Sequence, residues 1–439
     1  MEFITHILDY LSSITDGITF EKLVAIFWFL FFIEIPRYYL LDIVVLFRRW
    51  VYSDVRHKKE VNARIELYTK NPFVSIIVPG KNEGRHIFKL TQSLKEQTYR
   101  NFELVVVDDG SDDDTKLICE SLRSCGLIDR FYSVTERGGK ASAANLALVE
   151  NKSDIVVHLD ADSSLDRDAI EQILIPFYMN ENVGAVGGCV KVRNSDDSIC
   201  TVMQSMEYLE SIQVGRTVVS DIGGYRTISG AFGAFRSDVL KQVGKWDIGP
   251  GLDGDITQKI RKSGYNVIFN PKAICLTNVP TAFTKLYKQR LRWSKSLVRF
   301  RLRKHSNVFN LFSANFRVSN FVTNLDNVIF NFGFDLLWLV YMLSFLTYQP
   351  YSLLTLLILK FMITIPLGYV SFALSMMLSE RRQEEIKMLP FVPLQPIYSG
   401  YFLRITRIIA AFREFFFFSS YKDNWNPKKS SQWARIDRL

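Results

Sequence analysis

Asp160-Ala161-Asp162 closes a short apolar run, Ile155–Asp160, and leaves two carboxylates one residue apart. Hard oxygen ligands at a strand end can hold Mg2+ or Mn2+ against a diphosphate. The tripeptide alone is an ordinary turn sequence, so its weight comes from its neighbours. Asp108-Asp109 ends an earlier apolar run, where an Asp can accept from a base N–H and from ribose hydroxyls. Gly138-Gly139-Lys140 opens a helical stretch; its amides can point at an anion, and Lys140 adds a charge for phosphate. Base, phosphate and metal are thus matched by three motifs, which together make a nucleotide-diphosphate site.

Two further motifs carry chemistry. Gly251-Leu252-Asp253-Gly254-Asp255 follows a Gly/Pro turn and precedes a helix over Ile256–Ser263. Acidic residues there can serve as N-terminal capping charge, or one of them can be a general base. Gln289-Arg290-Leu291-Arg292-Trp293 lies in a basic segment. On a helix Gln289, Arg292 and Trp293 share a face, where an amide and a guanidinium suit a diphosphate and an indole suits a sugar ring. The plainer reading of that segment is a helix lying on a membrane surface.

The elements that must position these residues read as alternating strand and helix from about Pro72 to Val279. Val74–Pro79, Leu104–Asp109, Ile155–Asp160 and Val183–Gly188 are apolar on both faces, as parallel strands buried under helices are. Between them His86–Gln97, Asp112–Arg123, Ala141–Asn151 and Arg167–Met179 have helical periodicity, with Ser111 as the expected N-cap of the second. The fold class is therefore α/β, a doubly wound sheet that binds ligand beyond the carboxyl ends of its strands.

The apolar weight sits toward the ends of the 439-residue chain. Leu23–Phe47 is long enough to span a bilayer, and its Glu34 and Arg37, three apart, are expected to neutralise each other. No signal peptide is expected, since the first twenty residues are acidic. Toward the C-terminus Val328–Tyr348 and Ser352–Leu378 form an apolar hairpin, and Leu389–Phe418 is a further stretch broken by prolines and expected to be re-entrant, a helical hairpin or interfacial. Asn331 and Asp335 share a helix face in the first of these. They either line a wet path through the membrane or, for Asp335, pair with Arg37 or Lys360. Net charge is +9, clustered at Arg48–Lys59 and Lys285–Lys304 beside apolar segments. That placement favours a cytoplasmic membrane surface over nucleic acid. Five scattered cysteines without a CxxC pair argue against a disulfide frame or zinc knuckle. The expected organisation is an N-terminal membrane segment (1–69), a cytosolic domain (70–284), an interfacial segment (285–327), membrane helices (328–418) and a basic tail (419–439). Lys422, Lys428, Lys429, Arg435 and Arg438 favour a cytosolic tail.

These motifs, in this order, resemble the processive family-two inverting glycosyltransferases, which include cellulose, hyaluronan, chitin-oligosaccharide and poly-N-acetylglucosamine synthases. The resemblance covers roughly residues 70–300. It implies a glycosyltransferase A-type domain held between N- and C-terminal transmembrane helices in the plasma membrane. It implies that Asp109 binds uridine with Pro79, Lys81 and Glu83 at the same end, and that Lys140 helps hold the nucleotide. Asp160 and Asp162 would meet ribose, diphosphate and a Mg2+ or Mn2+ ion, with Asp162 ahead of Asp160 as direct ligand. Asp253 would be the general base, with Asp255 the competing candidate. Gln289 and Arg292 would bind diphosphate, Trp293 the terminal acceptor sugar, and Ser229-Gly230-Ala231-Phe232 would floor the acceptor site. The implied partners are a UDP-linked donor, a nascent β-linked polysaccharide, the bilayer and an accessory export subunit, with no nucleic acid. The chain departs from the family pattern where Gly251 and Leu252 replace the Thr and Glu before the base, and where Lys81 replaces an aromatic residue. Two other readings remain open on the sequence: transfer of one sugar to a lipid or short acceptor, and an inactive membrane scaffold or transport subunit.

Overall fold

The computed structural model describes residues 19–249, 251–313, 316–348, 350–422 and 427–428. An eight-stranded sheet, ordered β3-β2-β1-β4-β7-β6-β8-β5, forms its centre. The strands are β1 Val74–Gly80, β2 Phe102–Asp109, β3 Arg130–Val134, β4 Ile155–Leu159, β5 Ser164–Leu165, β6 Val183–Val192, β7 Phe232–Arg236 and β8 Asn266–Thr277.

The first half of the sheet follows the sequence except for its edge strand β3, whose half-exposed residues give no continuous apolar run. β3, β2, β1 and β4 run parallel, and alternate residues of β1 and β2 enter two separate buried clusters, one under each helical layer. The second half does not. β7 runs antiparallel to both β4 and β6, and β5 runs antiparallel to β8, so the sheet is mixed. Phe232–Arg236 is short and built around Gly233 and Ala234, too weak a pattern to read as a strand. The helix expected from Asp112 starts at Thr115 with Asp114 at its N-cap. Ser111 is drawn elsewhere: its hydroxyl donates to Asp108 Oδ1 and accepts from the Asn82 amide at 2.8 Å, tying the loops after β1 and β2 together.

Among the described residues two helices, Val318–Tyr348 and Leu353–Leu378, are long and apolar enough to cross a membrane. Only 11% of the most apolar window in each is covered by protein, which leaves an apolar outer surface of the kind a bilayer covers. The N-terminal segment is helical through Val51, with a break at Phe27 and wide turns at Leu30–Glu34 and Pro36–Leu40. Its Phe27 and Leu30 pack on Leu356 and Leu359. Glu34 and Arg37 do not pair with each other, because the wide turns take residues three apart off a common face. Arg37 donates to Asp326 at 2.8 Å, and Glu34 lies 3.5 Å from Arg404. Asp335 likewise pairs with Arg404 (3.0 Å) and Arg407 (2.7 Å), not with Arg37 or Lys360. Asn331 donates to the Asn327 carbonyl one turn back.

The helical stretch Ile199–Asp221 joins the sheet to these helices. Val214 and Val218 pack with Val45, Leu46 and the partly buried Leu374 and Leu378, and Gln213 donates to the Leu378 carbonyl at 2.8 Å. Leu389–Phe418 is a run of short helical pieces ending in Arg404–Phe417, which packs along the helix Phe283–Leu297. All five cysteines are free, and four are buried. Of the basic tail, Lys429, Arg435 and Arg438 lie outside the described residues.

Candidate active site

β4 delivers Asp160 to the carboxyl edge of the sheet, and Asp162 follows in the turn. Lys140 Nζ contacts Asp160 Oδ1 at 2.5 Å and the Gly230 carbonyl at 3.5 Å. Burial opposes the Lys140 charge, but Asp160 and Asp253 outweigh it and hold the ammonium above its ordinary pKa. Burial and the neighbouring Asp160 push Asp162 up to about 6. Burial, then Asp162 and Asp160, push Glu83 up to about 7. Glu83, expected beside Asp109 at the uridine end, thus feels the charges of Asp162 and Asp160.

His158 was not foreseen as a site residue. It stands two residues before Asp160 on β4 and so on the same face, and its Nδ1 lies 2.8 Å from the Gly230 carbonyl. Burial and Lys140 depress its pKa to about 3, so the ring is neutral and Nδ1 carries the proton that it donates. A lone polar residue inside the apolar run Ile155–Leu159 was the available signal.

The Gly138-Gly139 amides have an internal anion. Gly138 N–H donates to Asp109 Oδ1 at 2.7 Å and Gly139 N–H to Oδ2 at 2.8 Å. The expected phosphate cradle is therefore closed by Asp109 itself, since a buried carboxylate must be hydrogen-bonded. Pro79 is buried on β1 opposite Val107, and Lys81 lies 3.8 Å from Asp112. Pro427, from the C-terminal tail, packs over Gly139, so this part of the tail lies on the catalytic domain.

Asp253 sits in the first turn of the helix Leu252–Lys262. Gly251, at φ +88°, supplies the left-handed turn into that helix. The Asp253 carboxylate rests on Gly230: a Cβ there would lie 2.5 Å from Oδ1 and 2.7 Å from Oδ2. Burial raises the Asp253 pKa and Lys140 opposes that rise. Asp255 has a different fate. His305 approaches it at 2.7 Å and Lys304 at 2.8 Å. Against the burial that would raise it, these partners hold its pKa down at about 2. Of the two candidate bases, only Asp253 faces Lys140 and the strand ends.

Gln289, Arg292 and Trp293 lie on the helix Phe283–Leu297, which continues to Lys304. One turn beyond Trp293, Ser296 packs against Gly251, and Phe300 against Gly251 and Gly254. The helix therefore crosses the start of the Asp253 helix. The Gln289 Oε1 is buried without a hydrogen-bond partner. Trp293 is 39% exposed, and Arg290 lies 4.6 Å from its ring. Arg290 is fixed from the other side by Glu207 at 2.7 and 2.9 Å, and Glu207 also accepts from the Tyr398 hydroxyl at 2.7 Å. Arg290, Glu207 and Tyr398 were not foreseen, because their partners are far apart in sequence.

Among the described residues no three His, Cys, Asp or Glu side chains are grouped closely enough to hold a metal ion by themselves. The mutual crowding of Glu83, Asp160 and Asp162 is what a divalent cation would relieve, and hard oxygen donors fit Mg2+ or Mn2+. The donor set fits such an ion if diphosphate oxygens complete its shell.

A mixed α/β sheet with this acidic cluster at its carboxyl edge is the GT-A type of glycosyltransferase domain. Residues 71–296 match the family described as glycosyltransferase like family 2, and the chain belongs to it. It is 31% identical over 224 residues to a poly-beta-1,6-N-acetyl-D-glucosamine synthase of Staphylococcus epidermidis, covering 51% of this chain and 54% of that protein. Synthases of the same name from Staphylococcus aureus are 31% identical over 230 residues, with the same coverage. The chain thus spans about half the length of these curated relatives. A mannosyltransferase from Pyrobaculum calidifontis, solved with GDP-Man and Mn2+, superimposes with a TM-score of 0.54 at 21% identity, covering 86% of this chain and 99% of that one. At that identity the likeness concerns the fold.

Proposed function

We propose that this protein transfers a sugar from a nucleotide-diphosphate donor, UDP-linked, to the growing end of a β-linked polysaccharide, and that the product leaves across the membrane beside the catalytic domain. The observation that carries the reading is the Asp253 carboxylate, seated on Gly230 beside Lys140 and Asp160 while Asp255 is withdrawn into an ion pair. The staphylococcal relatives, named for poly-N-acetylglucosamine synthesis, support a polysaccharide product.

In this reading Asp253 takes the proton of the acceptor hydroxyl as that oxygen attacks the anomeric carbon. A single displacement inverts the centre, so an α-linked donor gives a β-linkage. Lys140 and Arg292 balance charge that develops on the departing nucleotide diphosphate. Asp160 and Asp162 would hold Mg2+ or Mn2+, which supplies further neutralisation of that diphosphate. Pro79, Lys81, Glu83 and Asp109 line the nucleotide end. Trp293 stacks the terminal acceptor sugar above Ser229 and Gly230, its indole held from beneath by Arg290. Asn331 and Asp335 belong to the exit path in this proposal, Asp335 through the arginines it orders.

The test is nucleotide release from a panel of UDP-sugars and GDP-mannose with purified protein in membranes, followed by linkage analysis. A β-linked polymer from one UDP-sugar is the expected result. A single sugar on a lipid would replace the polymer reading, and no turnover with any donor would remove it.

A further inference from the structure

The helix Val318–Val328 buries a polar face against the catalytic domain. Asn320, Thr323, Asn324 and Asn327, spaced as one helical stripe, are each at most 9% exposed. Opposite them stand Gln258 and Arg261, and beside these Arg226 and Arg301. Arg226 shares the Asp326 carboxylate with Arg37, at 2.5 and 2.8 Å. Arg261 donates to Asn320 at 2.9 Å and to the Gly223 and Tyr225 carbonyls at 3.0 and 3.1 Å. Among the described residues Arg301 donates to the Thr227 hydroxyl alone, at 3.1 Å.

Donors outnumber acceptors in this layer. Arg301 is 4% exposed, and its Nε and Nη1 are buried without a partner. So are Arg261 Nη2 and Gln258 Nε2, against one orphaned acceptor, Asn327 Oδ1. Burial, Arg226 and Arg261 together lower the Arg301 pKa to about 9, and Asp326 is the one carboxylate that opposes them. Burial and Arg226 lower that of Arg261 to about 10. Buried polar groups are rarely left this way unless something outside the chain satisfies them. The layer opens at its edge, where Arg226, Arg37 and Asp326 keep about a fifth to a quarter of their side-chain surface. That edge lies at the start of the span Val318–Tyr348, where a bilayer's headgroups would lie.

We propose that this arginine layer binds a phosphoryl anion, with Arg301 and Arg261 as its forked donors and Gln258 adding an amide N–H. Planar guanidiniums with free donors match phosphate oxygens in pairs. The phosphate can be offered by an anionic lipid headgroup or by a soluble phosphate, since the chemistry is shared. The site is separate from the donor site: none of its residues touches Asp160, Asp162 or Lys140 among the contacts described.

The full chain, reconstituted in nanodiscs, tests this by its thermal unfolding midpoint. Replacing phosphatidylcholine with phosphatidylglycerol should raise the midpoint by about 2 °C or more, and Arg301→Gln should abolish the rise. The same rise from inorganic phosphate in phosphatidylcholine discs assigns the site to a soluble anion instead of a lipid. Asn327→Asp keeps every arginine and places a carboxylate in the layer, so it should raise the phosphate-free midpoint and remove the response. No rise from either phosphate source, or a rise that Arg301→Gln and Asn327→Asp both retain, would overturn the proposal.

Discussion

At the carboxyl edge of the sheet two carboxylates find partners within the domain, Asp109 in two backbone amides and Asp160 in Lys140, while Asp253 rests on Gly230. Beside the apolar helices, the guanidiniums of Arg261 and Arg301 keep donors that none of the described residues answers. Both regions are buried, and burial makes an unanswered charge expensive in either. The difference is geometric. Strand ends bring loops together, and loops have amides to spare. The arginine layer lies between helices whose own carbonyls are largely used along the helix axis; the Gly223 and Tyr225 carbonyls answer one nitrogen of Arg261, and the remaining donors must look to side-chain oxygens.

The largest expected effect tests whether Asp253 alone does the chemistry. Asp253→Asn should lose about a hundredfold or more in turnover with nucleotide binding kept, as measured by nucleotide release beside a binding assay. Asp255→Asn should do the reverse: Lys304 is left buried without its full counter-charge, so thermal stability falls while turnover per folded molecule stays near wild type. If Asp255→Asn is the inactive one, the two roles have been exchanged.

Glu207→Ala comes next. It strands Arg290 beneath Trp293 and breaks a pair whose two side chains are 13% and 16% exposed. Removing one partner of such a pair costs about 3–5 kcal/mol when fully buried, and somewhat less here. Chemical denaturation should show that loss, and the acceptor KM should rise more than kcat falls. An unchanged acceptor KM in a folded variant would detach Arg290 from the acceptor platform.

The acidic cluster predicts a graded pH effect. Glu83, near 7, and Asp162, near 6, are protonated in the folded metal-free protein where their unfolded forms are already ionised. Their folded pKa values are raised, so their contribution to stability is full below about pH 4 and is lost as pH rises toward 7. A divalent cation must displace those protons, so Mn2+ affinity should tighten from about pH 5 to about 7.5 and level off above it. Titration followed by the paramagnetic resonance of free Mn2+ checks this, and a flat profile would remove Glu83 and Asp162 from the cation's surroundings. Chelation should abolish turnover, and either Mg2+ or Mn2+ should restore it.

The smallest effect marks the outer limit of the comparison. Lys81 and Asp112 pair at 3.8 Å in solvent, where screening leaves little. Asp112→Asn should leave the unfolding midpoint unchanged within error.

The sequence by itself determined the three central parallel strands β2, β1 and β4, because runs apolar on both faces can only be buried between layers; the edge strand β3, half-exposed, was not legible. It also determined the acidic strand ends and the shared face of Gln289, Arg292 and Trp293, which follow from fixed periods of strand and helix. Tertiary structure decided the rest. Asp253 and Asp255 look alike in the chain, two residues apart. They are separated by Lys304 and His305, which lie 49 and 50 residues from Asp255. The same holds for the amides of Gly138 and Gly139, claimed by Asp109 about thirty residues earlier, and for Asp335, claimed by Arg404 and Arg407 about seventy residues later. Local pattern records which side chains are polar and which way an element faces. Whether a buried polar group is already satisfied depends on partners that only folding brings within hydrogen-bond distance.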